Sequence, residues 1–391
     1  MSELLESRWQ ETKGALLEGL NGNKKSVMAA TLENTRKYLS ESATAGASSA
    51  GNVATLNRVI LPVIRRVMPT VIANELVGVQ PMTGPVGQIH TLRVRYADAV
   101  NSTNGTDTAA GDEALSPFKI AEGYSGAADD KAATTAALEG QAGRKLSIQI
   151  LKQTVEAKSR KLSARWTFEA AQDAQSMHGI DVEAEIMAAL AQEITAEIDQ
   201  EVLASLSSLA GNAAETYDQA AVSGTATFVG DEHAALAVQI NRVANLIAQR
   251  TRRGAGNYAV VSPFALTILQ SATTSAFART TEGTFEAPTN TKMVGTLNNA
   301  MKVYVNTYSA DGADVLVGYK GASESDAPAF YCPYIPLMSS GVVLDPSTFE
   351  PTVSFMTRYG YVELSNTASS LGNAADYLGK VAITNGNVSF S

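Results

Sequence analysis

The strongest constraint on the fold is a long apolar repeat in the middle of the sequence. Neither Gly nor Pro interrupts residues 180–209, and an apolar residue recurs at every fourth position there. The repeat consists of Ile186, Leu190, Ile194, Ile198, Val202 and Leu206. Side chains four residues apart lie on one side of an α-helix, so the repeat predicts one helix of about 45 Å. Because four exceeds the helical period of 3.6, the apolar stripe winds around the helix and should contact several elements in turn.

The charges of this predicted helix are all acidic. They are Asp181, Glu183, Glu185, Glu193, Glu197, Asp199 and Glu201. Residues 144–165 carry one acid, Glu156, and a set of basic residues. The basic residues are Arg144, Lys145, Lys152, Lys158, Arg160, Lys161 and Arg165. Opposite charges segregated into two segments favour contact between them, so one hypothesis is that these segments form complementary surfaces. The simpler alternative is an acidic face that is only solvated.

Composition excludes several classes of protein. The 391 residues are 45% hydrophobic, enough for a large core in one or two domains, and the net charge of −9 argues against a chain whose bulk binds nucleic acid. Cys332 is the only cysteine. It therefore forms no internal disulfide, and its apolar neighbours predict a buried, inert thiol in a reducing compartment. No apolar run approaches the roughly 18 residues of a membrane span, and no signal core is present, so we expect a protein that is soluble and intracellular when made.

The N-terminal residues predict a helical arm. Apolar residues lie on one helical face of residues 2–20, namely Leu5, Trp9, Leu16 and Leu20. Residues 21–23 (Asn-Gly-Asn) end that pattern, and residues 27–39 again have helical spacing. Residues 40–52 are rich in Ser, Ala and Gly and predict a linker. The apolar faces of both helices need a covering surface, and another subunit is one source of it.

Residues 97–143 predict an unusually long loop. They are mostly Gly, Ala, Thr, Asn and Asp, and loops of this length are uncommon inside compact domains. Residues 91–96 and 145–155 flank the loop and alternate as strands do. Together these segments predict a long hairpin that projects from the body of the protein.

The remaining patterns mix helices and strands over distant segments. Helices are predicted at residues 166–177, at residues 231–250 with Asp231 as N-cap, and after Pro263. Strands are predicted at residues 258–261, 301–305, 315–319, 352–364 and 377–390, with a loop at 273–299. This distribution indicates an α+β fold.

No constellation of residues predicts a catalytic, cofactor-binding or metal-binding site. The three histidines, His90, His178 and His233, are not spaced as pairs of metal ligands. His178 is better explained as a helix-terminal residue. Asp231, Glu232 and His233 are adjacent, but adjacent side chains at a helix start point in different directions, so they do not predict a shared catalytic centre.

A basic cluster follows the helix predicted at residues 231–250. Arg250, Arg252 and Arg253 suit a phosphate, a neighbouring carboxylate or solvent. No base-reading motif surrounds them, so a subunit contact or a solvated patch is favoured over specific binding of nucleic acid. Gly254-Ala255-Gly256 is too short for a phosphate-binding loop and predicts a turn between helix and strand.

Several short motifs are distributed along the chain from about residue 56 onward. They are Gly78-Val79-Gln80-Pro81-Met82-Thr83-Gly84-Pro85, Ala157-Lys158-Ser159-Arg160, Gln172-Asp173 with His178-Gly179, Thr251-Arg252-Arg253-Gly254, Val317-Gly318-Tyr319-Lys320-Gly321-Ala322-Ser323, Phe330-Tyr331-Cys332-Pro333-Tyr334 and Thr357-Arg358-Tyr359-Gly360. In identity and order they resemble the major capsid proteins of T-even-type tailed bacteriophages. Each motif alone is weak, and the ordered set is specific.

The resemblance implies the α+β fold of tailed-phage major capsid proteins, with an N-terminal arm, an extended loop, a long spine helix, and peripheral and axial domains. The implied boundaries are 1–55 for the arm, 56–96 for the first part of the peripheral domain, 97–145 for the extended loop, 146–225 for the peripheral domain with the spine helix, 226–340 for the axial domain and 341–391 for the last part of the peripheral domain. The extended loop is expected to reach over a neighbouring subunit.

The resemblance also implies a structural function and no enzymatic activity. Copies of the chain are expected to form hexameric capsomers and an icosahedral-type head that encloses DNA without sequence-specific contacts. The implied partners are other copies of the chain and scaffold, vertex, portal and decoration proteins, with no membrane and no cofactor. The protein would be made in the host cytoplasm and reside in the virion. Proteases of such phages cut after a hydrophobic-x-Glu pattern, which Leu4-Leu5-Glu6 and Leu16-Leu17-Glu18 fit.

Two other functions compete with this interpretation. A cellular nanocompartment shell that encloses cargo enzymes would share the fold, and a DNA-free, cargo-loaded particle would be its mark. A hydrolase with an unrecognised site would instead show a pocket with converging titratable side chains.

Overall fold

The chain forms two compact units, each assembled from segments that are distant in sequence. The computed structural model describes residues 9–10, 13–14, 16–17, 20, 22–44, 71–99, 109–112, 114, 134–139, 143, 145–178, 181–219, 229–251, 253–272, 277–279, 292–310, 312–348, 350–364 and 374–385. Unit 1 comprises Met1–Gly87, Val155–Ala204 and Phe330–Val362. Unit 2 comprises Gln88–Thr154, Ser205–Ala329 and Glu363–Ser391.

Helices and strands are interleaved along the sequence. The helices are α1 (Gly22–Thr44), α2 (Ala73–Leu76), α3 (Thr135–Leu138), α4 (Phe168–His178), α5 (Val182–Leu209), α6 (Val229–Thr251) and α7 (Pro263–Ser271). The strands are β1 (Gly78–Val79), β2 (Val86–Tyr96), β3 (Leu146–Glu156), β4 (Lys158–Arg165), β5 (Glu215–Asp218), β6 (Tyr258–Val261), β7 (Phe277–Arg279), β8 (Lys292–Leu297), β9 (Met301–Val305), β10 (Val315–Gly318), β11 (Ala329–Ser339), β12 (Val343–Leu344), β13 (Pro351–Glu363) and β14 (Leu378–Asn385). A 3₁₀ turn, Ala374–Tyr377, precedes β14.

The predicted long helix is present as α5. It has 28 residues, and the repeat positions from Leu190 to Leu206 are buried while Ile186 is half-buried. Asp181 precedes the helix, and its Oδ1 accepts a hydrogen bond from the backbone N–H of Glu183 at 3.1 Å. This side chain satisfies a backbone donor that the first helical turn leaves without a partner.

Unit 1 contains a five-stranded sheet. Its strands follow the order β1-β11-β13-β12, and β4 also pairs with β13. The β4–β13 ladder is antiparallel and continuous from Arg165 opposite Thr352 to Lys158 opposite Tyr359. Alternate residues of β13 are buried, including Val353 and Phe355, because successive side chains of a strand point to opposite faces.

Part of the N-terminal arm packs within unit 1 of its own chain. Val27, Met28 and Leu32 of α1 are buried, and Asn34 donates hydrogen bonds to the backbone oxygens of Met82 and Tyr334. The idea that a second subunit covers this helix is therefore wrong for α1. Unit 1 itself supplies both the apolar surface and the partners for the buried amide.

Unit 2 contains a seven-stranded mixed sheet with the order β5-β14-β10-β6-β9-β8-β7. Residues of α6 and α7 share one buried core with these strands; among them are Ile240, Ile247, Ile268, Val303 and Val317. As predicted, β6 is fully buried and Pro263 begins α7. Ser262 caps that helix by accepting a hydrogen bond from the N–H of Ala265 at 3.2 Å.

Strands β2 and β3 pair as a separate two-stranded sheet, as the flanks of the long loop predicted. The N–H of Ala97 donates to the oxygen of Lys145 at 2.9 Å, which places Tyr96 opposite Leu146 and Val94 opposite Ile148 in the regular antiparallel register. Leu146, Ile148 and Ile150 are 57%, 69% and 66% exposed. They occupy alternate positions and so lie on one face of the hairpin, and we call them the β3 stripe.

Three sequence-based boundaries are wrong in detail. The linker predicted from Ser40 is helical as far as Thr44, because neither Gly nor Pro occurs before Gly46. Asp231 is not the N-cap of α6, which begins at Val229, although an acid in the first turn still favours the helix dipole. The predicted loop at 273–299 contains β7 and β8, because β8 hydrogen-bonds to both β7 and β9. Such pairing depends on a distant strand more than on local composition.

The units also divide the chain differently from the implied domains 226–340 and 341–391. Strand β14 pairs with β10 and β5, so the end of the described chain lies in the same sheet as β6 and β9. The roles of these segments as axial or peripheral parts of a shell stay a prediction. Among the described helices, none is both long enough and apolar enough to cross a membrane.

Candidate functional site

The clearest polar centre lies in unit 1, where the basic strand β4 meets the acidic helix α5. Arg160 of β4 donates hydrogen bonds to Glu197 and, at 2.6 Å, to Glu201. Two carboxylates one helical turn apart match the planar, forked donors of a guanidinium. The predicted complementarity of the two charged segments is therefore confirmed at Arg160, within a single chain.

Tyrosines extend this centre across the sheet. Tyr359 of β13 donates its hydroxyl to Glu201 and accepts a hydrogen bond from Arg160 Nε at 2.5 Å. Its ring lies 5.3 Å from the ring of Tyr331 on β11. Burial raises the pKa of both phenols, with the neighbouring acids adding to the effect, so both stay neutral at physiological pH.

Asp199 of α5 is the most perturbed acid in this region. It is 2% exposed, and burial raises its pKa to about 7 while a hydrogen bond from the N–H of Ile72 opposes the rise. Sequence reasoning grouped Asp199 with the solvated acids of the helix. The missed signal in the sequence is spacing: Thr195 and Asp199 are four residues apart and directly follow the apolar Ile194 and Ile198, so both lie beside the apolar stripe. The structure buries both.

The residues that the sequence analysis singled out do not converge. Asp231 is exposed, Glu232 accepts a hydrogen bond from Gln219 at 2.8 Å, and His233 Nδ1 lies 2.5 Å from the Oγ of Ser271. The expectation that these adjacent side chains point in different directions is confirmed. His233 is buried, and burial lowers its pKa even though Glu232 acts in the opposite direction.

The other candidates also have structural surroundings. His90 is exposed on β2, and α4 ends at His178, whose side chain lies outside the described residues. Cys332 is buried in β11, as expected, and burial raises the pKa of its thiol to about 11. A raised pKa disfavours the reactive thiolate, so an inert thiol stays the prediction. Arg250 is half-buried at the end of α6.

Arg253 forms an ion pair of 2.5 Å with Asp326, an acid that the sequence did not connect with it. The hydroxyl of Tyr377 donates to the same carboxylate at 3.1 Å. A neighbouring carboxylate was one of the partners predicted for this basic cluster. Arg252 lies outside the described residues.

In the polar clusters described above, the side chains bind one another and so link elements of the fold. In the described part of the chain, no three His, Cys, Asp or Glu side chains are grouped so that they could hold a metal ion. A groove on the exposed side of α6 is lined by Val238, Arg242, Leu246 and side-chain amides, none of which is a general base or nucleophile. Outside these contacts, the β3 stripe is an exposed apolar surface, a feature that can mark an interaction site.

Comparison with known proteins gives a consistent assignment. A family model described as major capsid protein Gp23 matches residues 53–383. The major capsid protein of Vibrio phage KVP40 is 29% identical over 415 aligned positions, covering 83% of this chain and 80% of that protein. The major capsid protein of Enterobacteria phage T4 is also 29% identical, covering 81% of this chain and 77% of its own length.

A solved structure titled as the capsid of Myoviridae phage XM1 aligns with 80% of this chain and 92% of its own chain, at 9% identity and a TM-score of 0.43.

The alternative of a cellular nanocompartment finds no support, since the relatives from phages KVP40 and T4 are phage proteins. The family model and the mixture of helices and strands confirm the predicted class, the α+β fold of tailed-phage capsid proteins. Because the family model spans most of the sequence, this chain belongs to the Gp23 family of tailed-phage major capsid proteins, which are structural components of the virion and not a family of enzymes.

Proposed function

We propose that copies of this chain assemble into hexameric capsomers, and that these build an icosahedral-type head around a DNA genome. The observation that carries the proposal is the β3 stripe in a chain of this family. Contiguous exposed apolar residues on an open strand favour association with another chain over a free monomer. Repetition of one such contact around a ring accounts for a closed capsomer.

The energetics suit reversible assembly. Covering a Leu or Ile side chain that is about two-thirds exposed contributes roughly 1–2 kcal/mol, at about 25 cal/mol per Å² of apolar surface. One stripe therefore gives a weak contact between two copies, because association also has an entropic cost. A ring makes such contacts around its whole circumference, so closure stabilises the assembly more than any single pair.

Other parts of the proposal follow from the resemblance. The extended loop, 97–145, would reach over the adjacent subunit, and the segment 226–340 would lie near the capsomer centre. Scaffold, vertex, portal and decoration proteins are the expected partners. The net charge of −9 argues against binding of nucleic acid by the bulk of the chain, so the enclosed DNA would make no sequence-specific contacts with it. Synthesis would take place in the host cytoplasm.

The test is electron microscopy of the purified protein after its assemblies have been separated on a sizing column with light scattering. We expect six-membered rings, sheets or closed shells. A monodisperse monomer that forms no rings, even with scaffold protein and concentrated salt, would refute the proposal. Nuclease treatment of head particles tests the enclosure of DNA, since a genome inside a closed shell is protected.

A further inference from the structure

The basic residues of β4 are divided between the two faces of the sheet in unit 1. Arg160 points toward α5, where it contacts Glu197 and Glu201. Successive side chains of a strand point to opposite faces, so the odd-numbered residues of β4 lie on the face away from α5. All four are exposed, namely Ser159, Lys161, Ser163 and Arg165. The contact with α5 therefore accounts for only part of the basic segment.

Arg358 of β13 lies on the same outer face, next to Lys161. In the ladder, Arg358 is opposite Ser159 and Lys161 is opposite Met356, so the two cations are diagonal neighbours. Diagonal positions of an antiparallel pair are about 7–8 Å apart, which is within reach of long side chains. Like charges this close repel each other, and an anion bound between them removes the repulsion.

Neither of these cations is neutralised by an acid in the part of the chain that the structure describes. Arg165 pairs with Glu350 at 3.7 Å, whereas no ion pair of the described residues involves Lys161 or Arg358. The guanidinium of Arg358 lies 5.3 Å from the ring centre of Tyr334, and its Nε is buried without a hydrogen-bond partner among those residues. Stacking on the ring thus orients a guanidinium whose donors lack an acceptor.

Two hydroxyl groups lie beside this pair of cations. Ser159 and Ser163 are two residues before and two residues after Lys161, which is a distance of roughly 7 Å along a strand. Phosphate oxygens in protein–DNA complexes accept hydrogen bonds from Arg and Lys and from hydroxyl side chains. We call Lys161, Arg358 and the two serines the β4–β13 face, and its chemistry suits a phosphate.

The composition of this side of the sheet favours a nucleic-acid backbone over a protein partner. Of the eight residues that the ladder places there, Met356 is the only large apolar one, and it is half-buried. Protein interfaces depend on buried apolar and aromatic anchors, whereas interfaces with DNA are more polar and more positively charged. Because Glu350 lies at the Arg165 end, the cationic centre is at Lys161 and Arg358.

We propose that the β4–β13 face binds the phosphate backbone of the enclosed DNA, with Lys161 and Arg358 beside the phosphates and the serine hydroxyls donating to their oxygens. The inference rests on the proposed function, which supplies the DNA, and it names a surface of the chain that contacts it. Such contacts carry no sequence information. A single chain makes few of them and binds weakly, whereas a shell presents many copies to one DNA molecule and so gains avidity.

The test follows the Met356 methyl signal by NMR in the unassembled full chain, labelled with ¹³C in its methionine methyl groups. Met356 is opposite Lys161, so it reports binding at this place even when the affinity is low. The variant Met356→Leu assigns the signal. A short DNA duplex of mixed sequence should shift it and leave the signal of Met301, in the core of unit 2, unchanged. Two phosphate contacts predict a slope of about −2 for log K against log salt concentration, at about 0.9 per phosphate.

Lys161→Gln and Lys158→Gln form a matched pair of variants. Both lysines are exposed on β4 and each change removes one charge, but Lys158 lies on the face that points to α5. Lys161→Gln should weaken duplex binding about fivefold or more and reduce the salt slope by about one, while Lys158→Gln should leave both unchanged. Arg358→Gln, with folding verified by circular dichroism, should repeat the effect of Lys161→Gln. Equal losses for the two lysine variants would overturn the proposed site.

Other anions identify what the face binds. Polyglutamate that shifts the Met356 signal at lower concentration than DNA would assign the face to an acidic protein, and inorganic phosphate that binds as tightly as DNA would assign it to a free anion. Either result overturns the proposal, as does a signal that none of these anions moves.

The outcomes also separate this site from the proposed function, because the titration uses the unassembled chain. Rings with nuclease-protected DNA and an unmoved Met356 signal would overturn the site and leave the proposed function intact. A shifted signal in a chain that forms no rings would support the site and refute the proposed assembly.

Discussion

Asp199 Oδ1 accepts a hydrogen bond from the backbone N–H of Ile72 at 2.8 Å, and this contact links the residue before α2 to the long helix α5. The carboxyl group is nearly inaccessible to solvent, and burial raises its pKa from 3.8 to about 7. A structural contact in the core of unit 1 is thus also a group that titrates near neutral pH.

Asp199 makes the stability of unit 1 depend on pH. Because its pKa is higher in the folded state, the protonated carboxyl stabilises the fold fully below pH 3.8, and this contribution is lost as the pH rises to about 7. Its size is about 4 kcal/mol, from roughly three pKa units. Asp199→Asn keeps an acceptor for Ile72 and removes the titration. Urea unfolding should show the variant matching the wild type at pH 4 and exceeding it at pH 8. Parallel pH profiles would refute this account.

His233, in unit 2, makes the stability of the fold depend on pH in the opposite sense, since its contribution is present at higher pH. Its pKa is lowered, chiefly by burial, so the folded state favours the neutral ring. Stability is therefore present above the ordinary pKa of about 6.5 and is lost as the pH falls below it. When the pH is lowered from 7 to 5, we expect the urea concentration at the unfolding midpoint to decrease less for His233→Asn than for the wild type. A variant whose midpoint falls as much as that of the wild type over this range would contradict the assignment to His233.

Arg160 should contribute more to stability than its sequence neighbour. Arg160→Ala removes the partner of Glu197 and Glu201 and one hydrogen bond to Tyr359, and we expect a loss of about 1–3 kcal/mol. Lys161 is exposed and points to the other face of β4, so Lys161→Ala should change stability by less than about 0.5 kcal/mol. Urea unfolding of both variants measures the difference, and equal losses would contradict a stabilising role for the contacts of Arg160 with Glu197 and Glu201.

The buried stripe of α5 allows a comparison of one residue type at two depths. Ile198 is 2% exposed and Ile186 is half-buried. Ile198→Ala should cost about 2–5 kcal/mol, because it removes buried methyl groups and leaves a cavity. Ile186→Ala should cost roughly half as much or less, since water already reaches that side chain. A larger loss at Ile186, measured by urea unfolding, would mean that the packing around α5 differs from the structure.

Local pattern predicted much of the secondary structure. The four-residue repeat predicted α5, the alternation of residues 145–155 predicted β3, and Pro263 predicted the start of α7. These elements are specified by spacing and by residues with restricted backbones, which act over a few positions. The charge segregation between β4 and α5 was visible in the same way, although the sequence did not indicate that Arg160 would be the meeting point.

The sequence alone thus determined the periodic elements and, through ordered motifs, the resemblance to capsid proteins that the family match confirms. Only the tertiary structure decided which distant segments share a sheet, as where β14 joins β10, and which acid of α5 is buried. It also decided that the β3 stripe stays exposed. The physical reason is that periodicity is a local property, whereas strand pairing, desolvation of a carboxyl group and the exposure of an apolar face depend on what packs against them from elsewhere in the chain.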